Sequence, residues 1–410
     1  MRNKWVLLAL LCLIFITYTV DRALLGLLVV PIQKDLGLTD VQFGFLSAAI
    51  FWTFSVCVPF SGLAGDRFNR AKLIGFAAIA WSAMAILAGF AGGFWTLFLF
   101  ASVALVAPQT MYGPSANALL AEQHVKTRTV ALSCHQAAYY TGWFVSGAAV
   151  AGVLAIFGTW RAAFFTFGTV GLVLGVFFLL WTGRTDKMSS IEQSNNPNKQ
   201  TIKQSLKAFF GCRTALLVAV CYVVLAFVGF GYASWGPKFI AQKFALTPSA
   251  AGTGVMFSYN AAAFAAILVS GFVTDRLVKR FPRFRLALSV GAVLLQIPAL
   301  VAFAFVPSLP LVWTAAAFLG AMMGVVGANQ FTMIFDVVPS QYRAGSIGFL
   351  NVIAGLVGST APIILGTLSQ GYGVRGFEIG FASFGGVVFV AVASLVSAML
   401  FTFKSDLIKE

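Results

Sequence analysis

Charge is what this sequence has least of. Asp, Glu, Lys and Arg make up 10% of its 410 residues, where soluble globular chains carry about 25%. A water-soluble globular fold is therefore excluded. Acid is scarcer than base, with 12 Asp and Glu against 27 Lys and Arg. His occurs twice, and the five cysteines (Cys12, Cys57, Cys134, Cys212, Cys221) are scattered and odd in number. No set of these residues has metal-ligand spacing, so the cysteines read as packing residues. No nucleophile and base stand in a recognisable pattern, and no phosphate-cradling loop is present, so an enzyme is not expected. The apolar runs do not alternate with polar residues, which argues against a β-barrel. No cleavable signal pattern is visible, because the first apolar run is too long and leads into further runs.

What the sequence has is long apolar segments, each about 20 residues or more, the length that crosses a bilayer as a helix. Twelve are predicted, at 5–31, 41–64, 73–90, 95–120, 130–157, 160–181, 213–236, 249–273, 286–306, 310–334, 344–370 and 378–403. The expected fold is an all-α membrane protein of two pseudo-symmetric six-helix bundles. They occupy 1–181 and 213–410 and are joined by a polar linker at 182–212. Within that linker Ser190–Gln200 reads as flexible. Thr201–Phe210 alternates Lys203 and Lys207 with Ile202, Leu206, Phe209 and Phe210, as an amphipathic helix on the inner membrane surface does; a plain linker is the alternative.

The net charge of +15 is explained by topology. Twenty-one Lys and Arg fall on one side of the twelve segments, five on the other (Lys34, Arg161, Lys238, Lys243, Arg375), and Arg22 lies inside one. The positive-inside rule then puts both termini and the central loop in the cytoplasm. The basic balance fits anionic lipid and does not call for a nucleic-acid partner. Short outer loops fit a bacterial inner membrane, and a monomer is expected.

Asp21 and Arg22 are the charged residues of the first segment. Either one at a bilayer centre costs about 2.5–3.5 kcal/mol on insertion scales. Adjacent helical residues point about 100° apart, so one can line a cavity while the other meets a neighbouring helix. A substrate or proton site is one reading; an ion pair that fixes helix packing is the other.

The two halves repeat. Gly62-Leu63-Ala64-Gly65-Asp66-Arg67 matches Gly271-Phe272-Val273-Thr274-Asp275-Arg276. Leu38-Thr39 with Gly44 matches Leu246-Thr247 with Gly252, and Glu122 with Arg128 matches Asp336 with Arg343. A parallel repeat of this kind places a substrate site near the midplane between the halves. The halves differ where chemistry is expected, since Asp21-Arg22 corresponds to Gly229-Phe230.

With Gly62-x-x-x-Asp66-Arg67-x-x-Arg70 after the second segment and a copy at Asp275-Arg276, the chain resembles the major facilitator superfamily over its whole length. The resemblance implies a transporter working by alternating access. In it Gly62, Asp66, Arg67, Arg70, Asp275 and Arg276 act as conformational latches. Two branches are similar in Asp21-Arg22, in Lys34-Asp35-Leu36-Gly37-Leu38-Thr39 and in Trp160-Arg161-x-x-Phe164. One is the anion:cation symporter branch, which carries sugar acids and other organic anions. The other is the spinster-like branch, which carries lysolipids and sphingoid lipids. The anion branch implies that Arg22 binds a substrate carboxylate and that Asp21 takes up a coupling proton. The chain departs from both at Gln109 and Ser102, where a Glu and an Arg are usual. Gln is nearly isosteric with Glu but does not ionise. Coupling then rests on Asp21 alone, uses another ion, or is absent, as in a facilitator. A membrane-embedded sensor on the same scaffold finds no support.

Further candidates for substrate contact are Tyr18, one turn from Arg22, Gln109 and Tyr112 in segment four, and Tyr139 in segment five. Trp235, Tyr259, Asn260, Asn329 and Gln330 are further candidates in the second half. For each, helix packing is the competing role. His135 is a candidate proton relay or a structural hydrogen-bonding residue. Pro108 and Pro114 are expected to bend segment four. Phe230–Pro237 reads as a breakable outer end of segment seven. The expected partners are thus an organic anion or lysolipid, a proton and the lipid bilayer, with no cofactor and no metal.

Overall fold

The structure is a computed structural model that describes residues 4–183, 202–278, 280–281 and 283–407. The polar run Ser190–Gln200 lies outside the described residues. Among them twelve helices are long and apolar enough to cross a membrane, and there is no strand. They run Lys4–Leu27, Asp40–Ser61, Arg70–Gly89, Phe94–Gln123, Val130–Phe157, Trp160–Gly183, Arg213–Lys243, Pro248–Leu277, Phe284–Phe305, Leu309–Phe335, Gly345–Tyr372 and Val374–Asp406. They are called spans one to twelve. Large apolar side chains such as Ile156, Phe76, Phe389 and Phe401 are exposed, as side chains that face lipid are.

Proline sets three departures from straight helices. Span one stops at Leu27, four residues short of the predicted end, and a short helix follows at Val29–Leu36. Pro31 has no N–H for the Leu27 carbonyl, and the chain breaks at Leu28 (φ −102°). The short helix closes on Gly37, whose φ of 63° suits glycine. Thr39 and Gln42 then form a reciprocal capping box that starts span two. Span four carries a π turn at Phe98–Ala104, with the Leu105 N–H reaching the Phe100 carbonyl. It breaks again at Thr110–Met111, one turn before Pro114. Span seven differs from expectation: the helix runs unbroken through Pro237 to Lys243.

The chain forms two compact units. The first is Met1–Asn195 with Ala233–Met256, and the second is Asn196–Tyr232 with Phe257–Glu410. The unit boundary therefore cuts through spans seven and eight rather than through the linker alone.

In the first unit span six lays Gly168, Gly171 and Gly175 against Ala78, Ser82 and Ile86 of span three. A Cβ at residue 168 would stand 2.9 Å from the Ser82 carbonyl oxygen. Lipid supplies no hydrophobic drive between helices, so close backbone contact of this kind does the holding. At the end that the charge count places outside, Asp35 joins two of the motifs. It accepts a hydrogen bond from Trp160 Nε1 (3.0 Å) and pairs with Arg161, whose Nη2 donates to the Ala91 carbonyl (3.1 Å). The Arg161 guanidinium, and after it the Trp160 N–H, hold the Asp35 carboxyl below its usual range.

At the opposite end Arg70, the first residue of span three, pairs with Glu122 at the end of span four. Arg128 donates to the Ala121 carbonyl (3.2 Å). The second unit repeats this plan on its own. Arg285 at the start of span nine binds Asp336 at 2.6 Å, and Arg343 donates to the carbonyls of Phe335 and Val338. The helix Ile202–Gly211 packs on the start of span eleven, with Phe209 buried against Phe349 and Ser205 against Gly345, while Lys207 is exposed.

Gly168→Val is expected to destabilise the protein by about 1–3 kcal/mol, the usual cost of overpacking, read as a lower melting temperature in detergent. Because the Asp35 carboxyl is held low, its contribution is complete above the ordinary carboxylate range, about pH 4. It is lost as pH falls through the lower folded value. Melting temperatures across acidic pH should show that loss in wild type and a shallower one in Asp35→Asn.

Candidate substrate site around Arg22

Arg22 and Asp21 part company, as adjacent helical residues must. The Arg22 side chain is half-buried. Its Nη1 donates to the Tyr18 hydroxyl at 3.1 Å, and its guanidinium carbon lies 4.5 Å from the centre of the Phe54 ring. No carboxylate pairs with it among the described residues. Arg22 lines a cleft together with Ser47, Phe51, Trp143, Ala233 and Ser234. A ring face and a phenol hold the guanidinium in place without neutralising it.

Asp21 turns the other way and is buried in the first unit. Neither carboxylate oxygen has a hydrogen-bond partner of standard geometry. The Trp81 indole is its neighbour, but that Nε1 also closes no bond. Gln109 is buried with both amide atoms unpaired, and Ser102 is tied to the Leu46 carbonyl at 2.9 Å.

The other expected residues fall into distinct settings. Tyr18 is buried among Phe15, Trp81 and Tyr112. Tyr112 is fully buried and donates to the Leu11 carbonyl at 2.6 Å. With that proton committed, the Tyr112 oxygen accepts from His135 Nε2, 2.9 Å away. His135 also stacks on Phe15 at 4.5 Å, so the pair joins spans one, four and five. Tyr139 is half-buried beside Phe15 and Trp143. In the second unit Tyr259 stacks on Tyr232 at 4.6 Å, and Asn329 donates to Ser270 Oγ and to the Val325 carbonyl. Asn260 and Gln330 are half-exposed.

Of the latch residues, Arg70 makes the ion pair with Glu122. Asp275 is largely exposed, 3.7 Å from Arg285, and Arg276 lies over the Phe272 ring. The side chains of Gly62, Asp66 and Arg67 lie outside the described residues.

Sequence reasoning passed over a network at the end of the first unit that the charge count places outside. Lys238 is buried, pairs with Asp40 and donates to Gln33 Oε1 at 2.8 Å. Gln33 Nε2 in turn reaches Asp40 at 2.7 Å. Lys238 also sits 5.3 Å above the ring of Trp235, which is fully buried against Phe43. The signal was the spacing of Trp235 and Lys238, which face the same way once the helix continues through Pro237.

That continuity shapes the cleft. Pro237 deprives the Ala233 carbonyl, four residues back, of its helical partner. A Cβ on Gly26 would stand 2.5 Å from that oxygen, so only glycine allows spans one and seven this close.

The family model of the Major Facilitator Superfamily matches residues 10–362 and again 237–405. The D-galactonate transporter of Escherichia coli O6:H1 is 24% identical over 95% of this chain and 93% of its own. The probable galactarate/D-glucarate transporter of Bacillus subtilis is 23% identical over 97% and 90%. Protein spinster of Drosophila melanogaster is 22% identical over 90% of this chain, which spans only 62% of spinster's length. A crystal structure of a bacterial homolog of the human lysosomal transporter spinster, inward-facing and unoccupied, superposes with a TM-score of 0.86. It covers 100% of this chain and 99% of its own at 20% identity. Repeated charge motifs, twelve spans and the family match agree: the chain is an integral multi-pass membrane protein that belongs to the major facilitator superfamily.

Proposed function

We propose that this protein is a secondary active transporter that moves an organic monoanion by alternating access, with Arg22 as the anion-binding group. The observation that carries this reading is the setting of Arg22. A permanent cation faces a cleft from inside an apolar span and has no carboxylate partner among the described residues. An anionic ligand supplies what the site lacks. The sugar-acid transporters among the relatives support the same class.

Asp21 is the coupling group in this account, and the proton is the coupling ion. Its carboxyl is buried without cation or paired donor, and an isolated carboxylate in such a place is costly. A proton relieves that cost, and a change in the packing around Trp81 would let it leave. Gln109 provides no second carboxyl, so one titrating group serves the cycle. Arg70 and Arg285, each with its acidic partner, tie the third span of their own unit to its fourth, and we place both termini in the cytoplasm of a bacterial cell. The protein acts there as a monomer.

Arg22→Ala is expected to abolish anion uptake in proteoliposomes while leaving the melting temperature within a few degrees of wild type. Uptake retained at wild-type rates would remove Arg22 from the site. Asp21→Asn should keep anion exchange but lose stimulation by an imposed pH gradient. If both proteins respond equally to the gradient, Asp21 is not the coupling group. Arg22-independent stabilisation by lysolipids alone would favour a lipid substrate instead.

A further inference from the structure

We infer that the ligand of the Arg22 cleft is a monocarboxylate with an apolar body, aromatic or branched, rather than a polyhydroxy acid; this rests on the anion reading above. The walls argue for it. The Phe54 ring faces the guanidinium, and Ile50, Phe51 and Trp143 line the same cleft. Besides Arg22, the polar aliphatic side chains in the wall are Ser47 and Ser234, both buried. A sugar acid needs a donor or acceptor for each hydroxyl it buries, because an unmet one costs about 1–3 kcal/mol. Two serines do not supply a set for four or five hydroxyls.

Among the candidate amides Gln109 belongs to the first unit; it is buried and is not part of the cleft wall.

The wall is drawn in where Gly26 meets the Ala233 carbonyl. The carboxylate would meet Arg22, its second oxygen the serine hydroxyls, and the ring would lie against Trp143 and Phe51.

The test is isothermal titration of the purified full chain with benzoate, cyclohexanecarboxylate, galactonate and lysophosphatidate. Wild type, Arg22→Gln, Trp143→Ala and Trp143→Phe are compared. The two apolar acids should bind at least about tenfold tighter than galactonate, the scale on which an apolar pocket discriminates. Trp143→Ala should weaken the apolar acids about tenfold and leave galactonate unchanged. Trp143→Phe, which keeps a ring, should restore most of the loss and guards against misfolding as the cause. Arg22→Gln should abolish binding of every acid. Galactonate binding as tightly as benzoate, still dependent on Arg22, would overturn this inference and leave the anion reading intact. Lysophosphatidate binding tighter than both apolar acids would also overturn it. Binding of any acid that survives Arg22→Gln would overturn the anion reading itself.

Discussion

A guanidinium held inside an apolar span, with no carboxylate partner among the described residues, is the constraint on which the first unit is built. Burying a cation is costly unless something answers its charge. Here the answer is partial: a phenol oxygen at 3.1 Å and a phenyl face at 4.5 Å. Asp21, the next residue, would have neutralised it, but the helical turn sends that carboxyl toward Trp81. Two groups that would be mute as a pair are thereby kept apart and unsatisfied. The surrounding packing keeps them so. Phe15, Tyr112 and His135 lock span one to spans four and five. The glycine seam locks span three to span six.

Symmetry explains the frame but not the chemistry. Each unit anchors the start of its third span to the end of its fourth by an arginine and an acid, Arg70 with Glu122 and Arg285 with Asp336. Each caps the carbonyls of that fourth span with a second arginine, Arg128 or Arg343. Cations at helix C-termini satisfy orphan carbonyls and the local dipole, so both copies keep the device. The charged pair of span one has no copy, because Gly229 and Phe230 stand in its place. The recognition charge proposed for Arg22 would therefore come from one half alone.

Most of the fold was legible because apolar length and loop charge dominate a membrane chain. All twelve spans stand where the apolar runs lie, within several residues at each end. Proline was harder to read. At Pro31 and in span four it breaks or widens the helix, whereas at Pro237 the helix carries on. The Ala233 oxygen that Pro237 frees lies against Gly26 of span one, a tertiary fact invisible in the local sequence. The site was half legible for a similar reason. A charge inside a span announces itself, so Asp21 and Arg22 stood out. Whether Tyr112, Asn329 or Trp235 faces a cleft or a neighbouring helix depends on rotation and partner, which composition does not encode. Arg285 and Lys238 were counted only as loop charges, although each is buried by its acidic partner. Asp35, Trp160 and Arg161 were noticed as two separate motifs, and the fold makes them one contact.

The central claim is that Arg22 receives an anion inside the cleft. Trp143, in the cleft wall, makes that directly measurable by fluorescence. Organic monoanions titrated into the detergent-solubilised protein should give a saturable change in tryptophan emission. The change should vanish when Trp143 is replaced by Phe and also when Arg22 is replaced by Gln. A saturable change that persists without Arg22 would contradict the account, and so would one that persists without Trp143.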